Sequence, residues 1–455
     1  MKKKNLAKKY FIIISATFIL GLIFAYGTRL VHFYLKENKN INSDETGEKV
    51  NYFSDILENT INVTDSNGGL YVDKENYMYK YAAEDNYLFY SGHLWRILRI
   101  NENKTITMVS NEAISLFNIK YEENDYLNDF LNEFYNKLNH DYLVSFKACD
   151  DQINEGGSVT CNNENEVNIS LLDLYNYNKA GNGKSFLNDG TSYWLANKNA
   201  EGSYLYINNE GSISVGNDIA HEVRPVVTLK DKIKLISGEG TEESPYIIDE
   251  RNISKINEVL TGEYIKYNDS LWRILEITEK SVKAIKTTCI LDKEECLNHR
   301  FGSSITYLNG SLYRYLNTTY LKSLENSDFI VKDVFYNGNY TNYDFRELKN
   351  NNIEAFIGLP KIGDYYAQNN YGSYLITPNI IETVYTVNED GNYYLVNPSK
   401  ELNIYPVINF DLELNIIAGN GSIDNPYELS RWKYGRRKIN NRWKRNKKEK
   451  KEEKK

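Results

Sequence analysis

The sequence predicts an α+β protein with two tandem duplicated domains, each built on a mainly antiparallel sheet, preceded by one N-terminal transmembrane helix. Three observations predict it. Leu-Trp-Arg-Ile-Leu is written twice, at residues 94–98 and 271–275, 177 positions apart. Each copy is followed, in the same order, by shorter matches with strand or helix patterning. Ahead of both lies a lysine cluster joined to a long apolar run.

The N-terminal element comes first. Residues 1–9, MKKKNLAKK, hold five lysines, and residues 10–28 carry no charge. A helix of that length spans about 28 Å, close to the hydrocarbon core of about 30 Å. Tyr10 and Tyr26 lie near its ends, where amphipathic rings favour the interface. Lysines on one flank keep that flank in the cytoplasm, so the chain is expected to be single-pass with everything after the helix extracellular. A cleaved signal peptide is the competing reading, with Ala25-Tyr26-Gly27 as a weak cleavage site. The apolar stretch LVHFYL at 30–35 prolongs the run and favours an uncleaved anchor. Residues 29–68, polar over 37–50, read as a stalk.

Each repeat opens on a hairpin. YLFY, Ser91-Gly92 and HLWRIL are matched by YIKY, Asn268-Asp269 and SLWRIL. Such turn residues tolerate the positive φ that two-residue hairpin turns require. Along the second strand Leu94, Arg96, Leu98 and Ile100 point one way, Trp95 and Ile97 the other. Both faces are largely apolar, which predicts burial on both sides. Downstream, FLNEFY (130–135) matches YLNTTY (315–320), each with helical Leu-x-x-x-Tyr spacing. SYWLAN (192–197) matches SYLITP (373–378), which sets Leu375 against Trp194. The segment 222–248, with Arg224 and Pro225, matches 403–429, with Tyr405 and Pro406. The expected domains are 69–250 and 251–430, each a normal size for one core.

These blocks resemble a family of surface modules in membrane-anchored proteins of low-GC Gram-positive bacteria and their wall-less relatives. The modules carry an early WR strand, a late YW strand and a closing VRPV strand. The closing strands are also similar to those of C-type-lectin-like folds, including formylglycine-generating-enzyme-like domains. The resemblance implies a cell-surface location and a C-type-lectin-like fold. The second copy departs from the pattern at Leu375 and Tyr405, which speaks for a structural Arg224.

For Trp95 and Trp272 the functional reading is a sugar-stacking platform, and core packing is preferred on their strand context. For Arg96 and Arg273 it is anion recognition. A half-buried guanidinium paired with a carboxylate and stacked on aromatics is preferred. Trp194, Arg224, Pro225 and Pro406 are taken as structural motif residues, and His93, replaced by Ser270, as no required base. Cys149 with Cys161 and Cys289 with Cys296 form close pairs without zinc spacing. Outside a membrane each could close a local disulfide contributing about 2–3 kcal/mol; free buried thiols are the alternative. GNGK at 181–184 lacks phosphate-loop spacing and reads as a surface turn. No catalytic residue, metal site or cofactor is expected.

The chain carries −8 overall, with +11 in the last 25 residues and +5 in the first nine, so residues 10–430 carry −24. An acidic body of this kind is not a nucleic-acid binder. The tail, residues 431–455, reads as a solvated basic extension. Its functional reading is contact with anionic wall polymer or headgroups through Arg436, Arg437, Lys438, Arg442, Trp443, Lys444 and Arg445. The expected function is adhesion: a membrane-anchored surface protein whose tandem ectodomain binds a glycan, wall polymer or protein without catalysis. The alternatives are an extracellular glycan-processing or formylglycine-generating-like enzyme, and a structural envelope protein tethered by its tail.

Overall fold

The computed structural model describes residues 42–43, 49–50, 52–60, 68–74, 76–117, 124–149, 164–216, 220–249, 251–336, 352–366, 372–378, 382–388 and 393–431. The expected anchor, Cys161 and the tail from Trp432 onward lie outside them. No described helix is long and apolar enough to cross a membrane.

Antiparallel sheet dominates, with few helices. Ser91 and Gly92 have φ of 54° and 79°, and Asn268 and Asp269 have 50° and 51°. Two successive left-handed residues give the turn whose twist matches paired strands. They join Tyr87–Tyr90 to His93–Ile100 and Tyr264–Tyr267 to Ser270–Ile277. Each hairpin sits in a larger sheet, and the two sheets repeat one strand order. In the first it is Ser170–Leu171, Pro225–Leu229, Ile106–Ser110, His93–Ile100, Tyr87–Tyr90, Tyr246–Ile247. In the second it is Ile357–Gly358, Val407–Asp411, Ser281–Lys286, Ser270–Ile277, Tyr264–Tyr267, Tyr427–Ser430. In both, the closing strand lies parallel to the first hairpin strand.

Strict alternation along the Trp-Arg strand fails at one point. A bulge falls between Ile97 and Arg99, and its counterpart between Ile274 and Glu276. One extra residue reverses the strand's faces beyond it. Ile100 therefore joins Trp95 and Ile97 in the main core, whereas Leu98 packs with Val109 in a second cluster. Ile100 does not share a face with Leu98 as alternation alone predicts.

The helix Asn124–Asn136 buries Leu127, Leu131 and Phe134, the i, i+4, i+7 stripe of an amphipathic helix. Its counterpart, Ser311–Arg314 continued by a wider π turn at Tyr315–Tyr320, buries Leu312, Leu316 and Tyr320. Both are tied to their hairpins at the same place. Ser91 Oγ accepts from Asn139 N–H at 2.7 Å, and Asn268 Oδ1 accepts from Glu325 N–H at 2.7 Å.

The expected stalk is shorter than 29–68. Helix Phe53–Glu58 belongs to the first unit: Phe53 and Leu57 are fully buried, and Phe53 N–H donates to the Ile233 carbonyl at 2.7 Å. The second unit begins alike, with Ile256 N–H donating to the Leu414 carbonyl at 3.1 Å. The first unit thus opens near Tyr52 rather than at 69. Its hairpin Gly69–Asp73 with Asn76–Lys80 pairs onto the far end of the Trp-Arg strand. Among the described residues the second unit has no such hairpin.

The units meet through the first hairpin turn. Gly92 packs against Thr261 and Glu263, leaving no room for a side chain. Tyr366 of the second unit donates its N–H to the Ile114 carbonyl at 3.1 Å and shares a hydrogen bond with His93 Nδ1. Beside it Tyr365 packs on Phe130 and Phe134 of the helix.

Candidate functional site

The residues singled out by sequence go into the scaffold. Trp95 and Trp272 are fully buried, and each indole Nε1 donates to the carbonyl of the preceding strand, Tyr90 or Tyr267, at 3.0 Å. The two arginines, though, have different partners. Arg273 holds Glu112 of the other unit at 2.6 Å and lies 3.3 Å from the centroid of the Tyr366 ring. Burial opposes its charge, but Glu112, Tyr366 and Tyr264 outweigh that and raise its pKa. Among the described residues Arg96 has no such carboxylate. It donates to Asn86 Oδ1 at 2.7 Å and the Ala83 carbonyl at 2.6 Å, and stacks on Tyr87 and Phe186. Burial lowers it to about 10. The expected carboxylate pairing therefore fits Arg273 and not Arg96.

Arg224 is 2% exposed and donates to the Ser110 and Leu187 carbonyls and to Asp189. Pro225 sits opposite Leu171, where a missing N–H is tolerated, and Pro406 accepts from Lys286 N–H. Cys289 and Cys296 form a disulfide with Cα atoms 5.5 Å apart, closing the small hairpin Leu291–Asp292 with Glu295–Cys296. Cys149 is also disulfide-bonded. Among the described residues no group of histidines, cysteines and carboxylates is arranged to hold a metal.

Strand register corrects one correspondence. Trp194 lies opposite Tyr206, and Tyr193 bridges in parallel to Glu222. In the second unit Tyr374 lies opposite Thr386, and Ser373 bridges in parallel to Asn403. Tyr374, not Leu375, is therefore the counterpart of Trp194. The repeated Ser-Tyr dipeptide misleads by one residue, and the loop before Glu401–Asn403 absorbs the difference.

This corner is where the two units diverge. In the first, it is filled: the Tyr206 ring stacks on His221 at 3.8 Å, Trp194 meets His221 edge-on at 4.7 Å, and Ser192 Oγ bonds His221 Nδ1 at 2.8 Å. Burial drives His221 down to about 4. The neighbouring Glu222 is pushed up to about 7 by burial, against the pull of the Thr191 hydroxyl it accepts at 2.8 Å. In the second unit Thr386 and Leu402 replace Tyr206 and His221, and the aromatic stack is gone.

A cleft of about 500 Å³ opens there, lined by Asn298, Gly372, Asn388, Tyr394, Lys400 and Leu402, with Asn403. Asn298 and Asn403 are direct cross-strand partners of Asn298–Arg300 and Glu401–Asn403, so their side chains share a face. Among the described residues neither amide is hydrogen-bonded through its side chain, and Lys400 has no carboxylate partner. Gly372, at φ 71°, keeps the wall low: a Cβ there would meet only the Asn403 amide, at 3.8 Å. Two amides supply donors and acceptors, Tyr394 a ring, and Lys400 a cation.

Sequence reasoning missed all of these residues, because isolated asparagines in an asparagine-rich chain carry no signal. The one available clue was that the copies differ around Tyr405 and the late Tyr strand. No family model, curated protein or solved structure matches the chain.

Proposed function

We propose that the chain is a membrane-anchored surface protein whose two like units form an extracellular, non-catalytic binding region, with the ligand site in the second unit. The observation that carries this reading is the amide-lined cleft. It holds side chains with unspent hydrogen bonds, a recognition set rather than an acid–base pair. It also lies at the corner that the first unit fills with packed aromatics. The anchor and the export of the body rest on the lysine-flanked apolar run, and the surface-module resemblance agrees with them.

Binding of the purified full-length chain in detergent to a glycan array, envelope fractions and whole cells tests the reading. Retention is expected, unchanged by EDTA, and at least tenfold weaker for Asn298→Ala combined with Asn403→Ala. Wild-type protein that binds none of these surfaces, or a double variant that binds as well, overturns it.

A further inference from the structure

Lys400, the one cation among the described residues lining the cleft, carries information about its ligand. Lys400 closes the turn after Asn397, donating its N–H to the Asn397 carbonyl at 3.0 Å, while the Tyr374 hydroxyl donates to the Lys400 carbonyl. The backbone that carries the lysine is thus held in place before any ligand arrives. The adjacent carboxylate, Glu401, is committed to Arg300 at 3.1 Å. Lys400 Nζ lies 5.9 Å from the Tyr394 ring centroid, so ammonium and ring front the same space.

Charge on a larger scale narrows the choice. Residues 10–430 carry −24, a field that repels polyanions. A ligand with one anionic group, brought close to one ammonium, escapes most of that penalty. The amides of Asn298 and Asn403 ask for hydroxyls or a second amide.

Resting on the binding reading above, we propose that the cleft takes an acidic sugar of the uronic-acid class. Its carboxylate meets Lys400 Nζ, its hydroxyls meet the Asn298 and Asn403 amides, and its ring face lies on Tyr394. A neutral hexose makes the same contacts except the charged one.

The test compares a glucuronate-terminated oligosaccharide with its glucose-terminated counterpart, using calorimetry on the full-length chain in detergent. The acidic ligand is expected to bind about tenfold tighter at low salt. That preference shrinks at 0.5 M NaCl and vanishes in Lys400→Gln, whose affinities for the two sugars become equal. Asn403→Ala weakens both ligands. Equal affinity for the two sugars, or a preference that survives Lys400→Gln, overturns the acidic-sugar proposal and leaves the binding reading standing. Failure of both sugars, with unaltered envelope retention in the asparagine variants, overturns the cleft as the binding site altogether.

Discussion

Arg96 and Arg273 occupy the same place in the same pentapeptide and show how far a motif constrains its residues. What repeats is the demand of the strand: a long side chain whose stem lies among aromatics and whose head must still find acceptors. Which acceptors depends on the neighbourhood, and that differs because only Arg273 faces the other unit. The pentapeptide therefore made burial and stacking legible, and the partners not. Glu222 offers a measurable case at this scale. Its folded pKa, about 7, lies above the ordinary 4.5, so ionising it costs the fold. That contribution to stability is complete below pH 4.5 and is lost as pH rises through 7. Glu222→Gln keeps the acceptor for Thr191 and removes the titration. The variant should melt with wild type near pH 4.5 and above it at pH 8, as thermal scans at the two values will show. An equal offset at both pH values would mean that Glu222 is not held protonated by burial.

Among elements, the glycine turns that end each unit were legible as turns, and the structure adds why glycine stands there. Gly238 and Gly419 have φ of 97° and 89°, and a Cβ on either would overlap the following Pro245 or Pro426 carbonyl. Two residues on, the Gly240 carbonyl accepts from Tyr87 N–H at 2.8 Å, and the Gly421 carbonyl from Tyr264 N–H at 2.9 Å. The turn thus delivers the closing strand to the hairpin. Gly238→Ala pays both for the left-handed backbone and for moving that strand, at a cost of about 2 kcal/mol or more. Gly190→Ala, at φ 87° but in open space, should cost only the first part, about 1 kcal/mol. Urea denaturation distinguishes them, and equal losses would show that the strand contact adds nothing. Other features were illegible for a physical reason. A bulge is one inserted residue that leaves no compositional mark, so alternation misplaced Ile100. Helix Phe53–Glu58 is too short for a periodic signal, so it was absorbed into the stalk.

At the scale of the whole molecule, the two units are joined by groups that a sequence comparison cannot pair, because each lies in a different place in its unit. Tyr366 is the hinge of that contact. It holds φ at 61°, rare for a large side chain, and from there its ring meets the Arg273 guanidinium while its hydroxyl meets His93. Burial, then Arg273, hold His93 well below its ordinary pKa, so it is neutral and compatible with the nearby cation. Glu112 completes the set from the first unit. Strain at Tyr366 persists only if the contact repays it, which implies that the units stabilise one another. Wild type should therefore unfold in one transition, with tryptophan fluorescence and far-UV circular dichroism coincident in urea. Tyr366→Ala removes the stack and the His93 partner while keeping a Cβ at the same left-handed φ, for a net loss of about 3 kcal/mol of mutual stabilisation. Glu112→Gln, at a half-exposed carboxylate, should lose about 1–2 kcal/mol. If the contact is what couples the units, the Tyr366 variant separates the two probes into distinct transitions, and adding Glu112→Gln widens the gap by less than its single loss, since both act on Arg273. Coincident transitions in the double variant, with strictly additive losses, would show that the units are held together elsewhere.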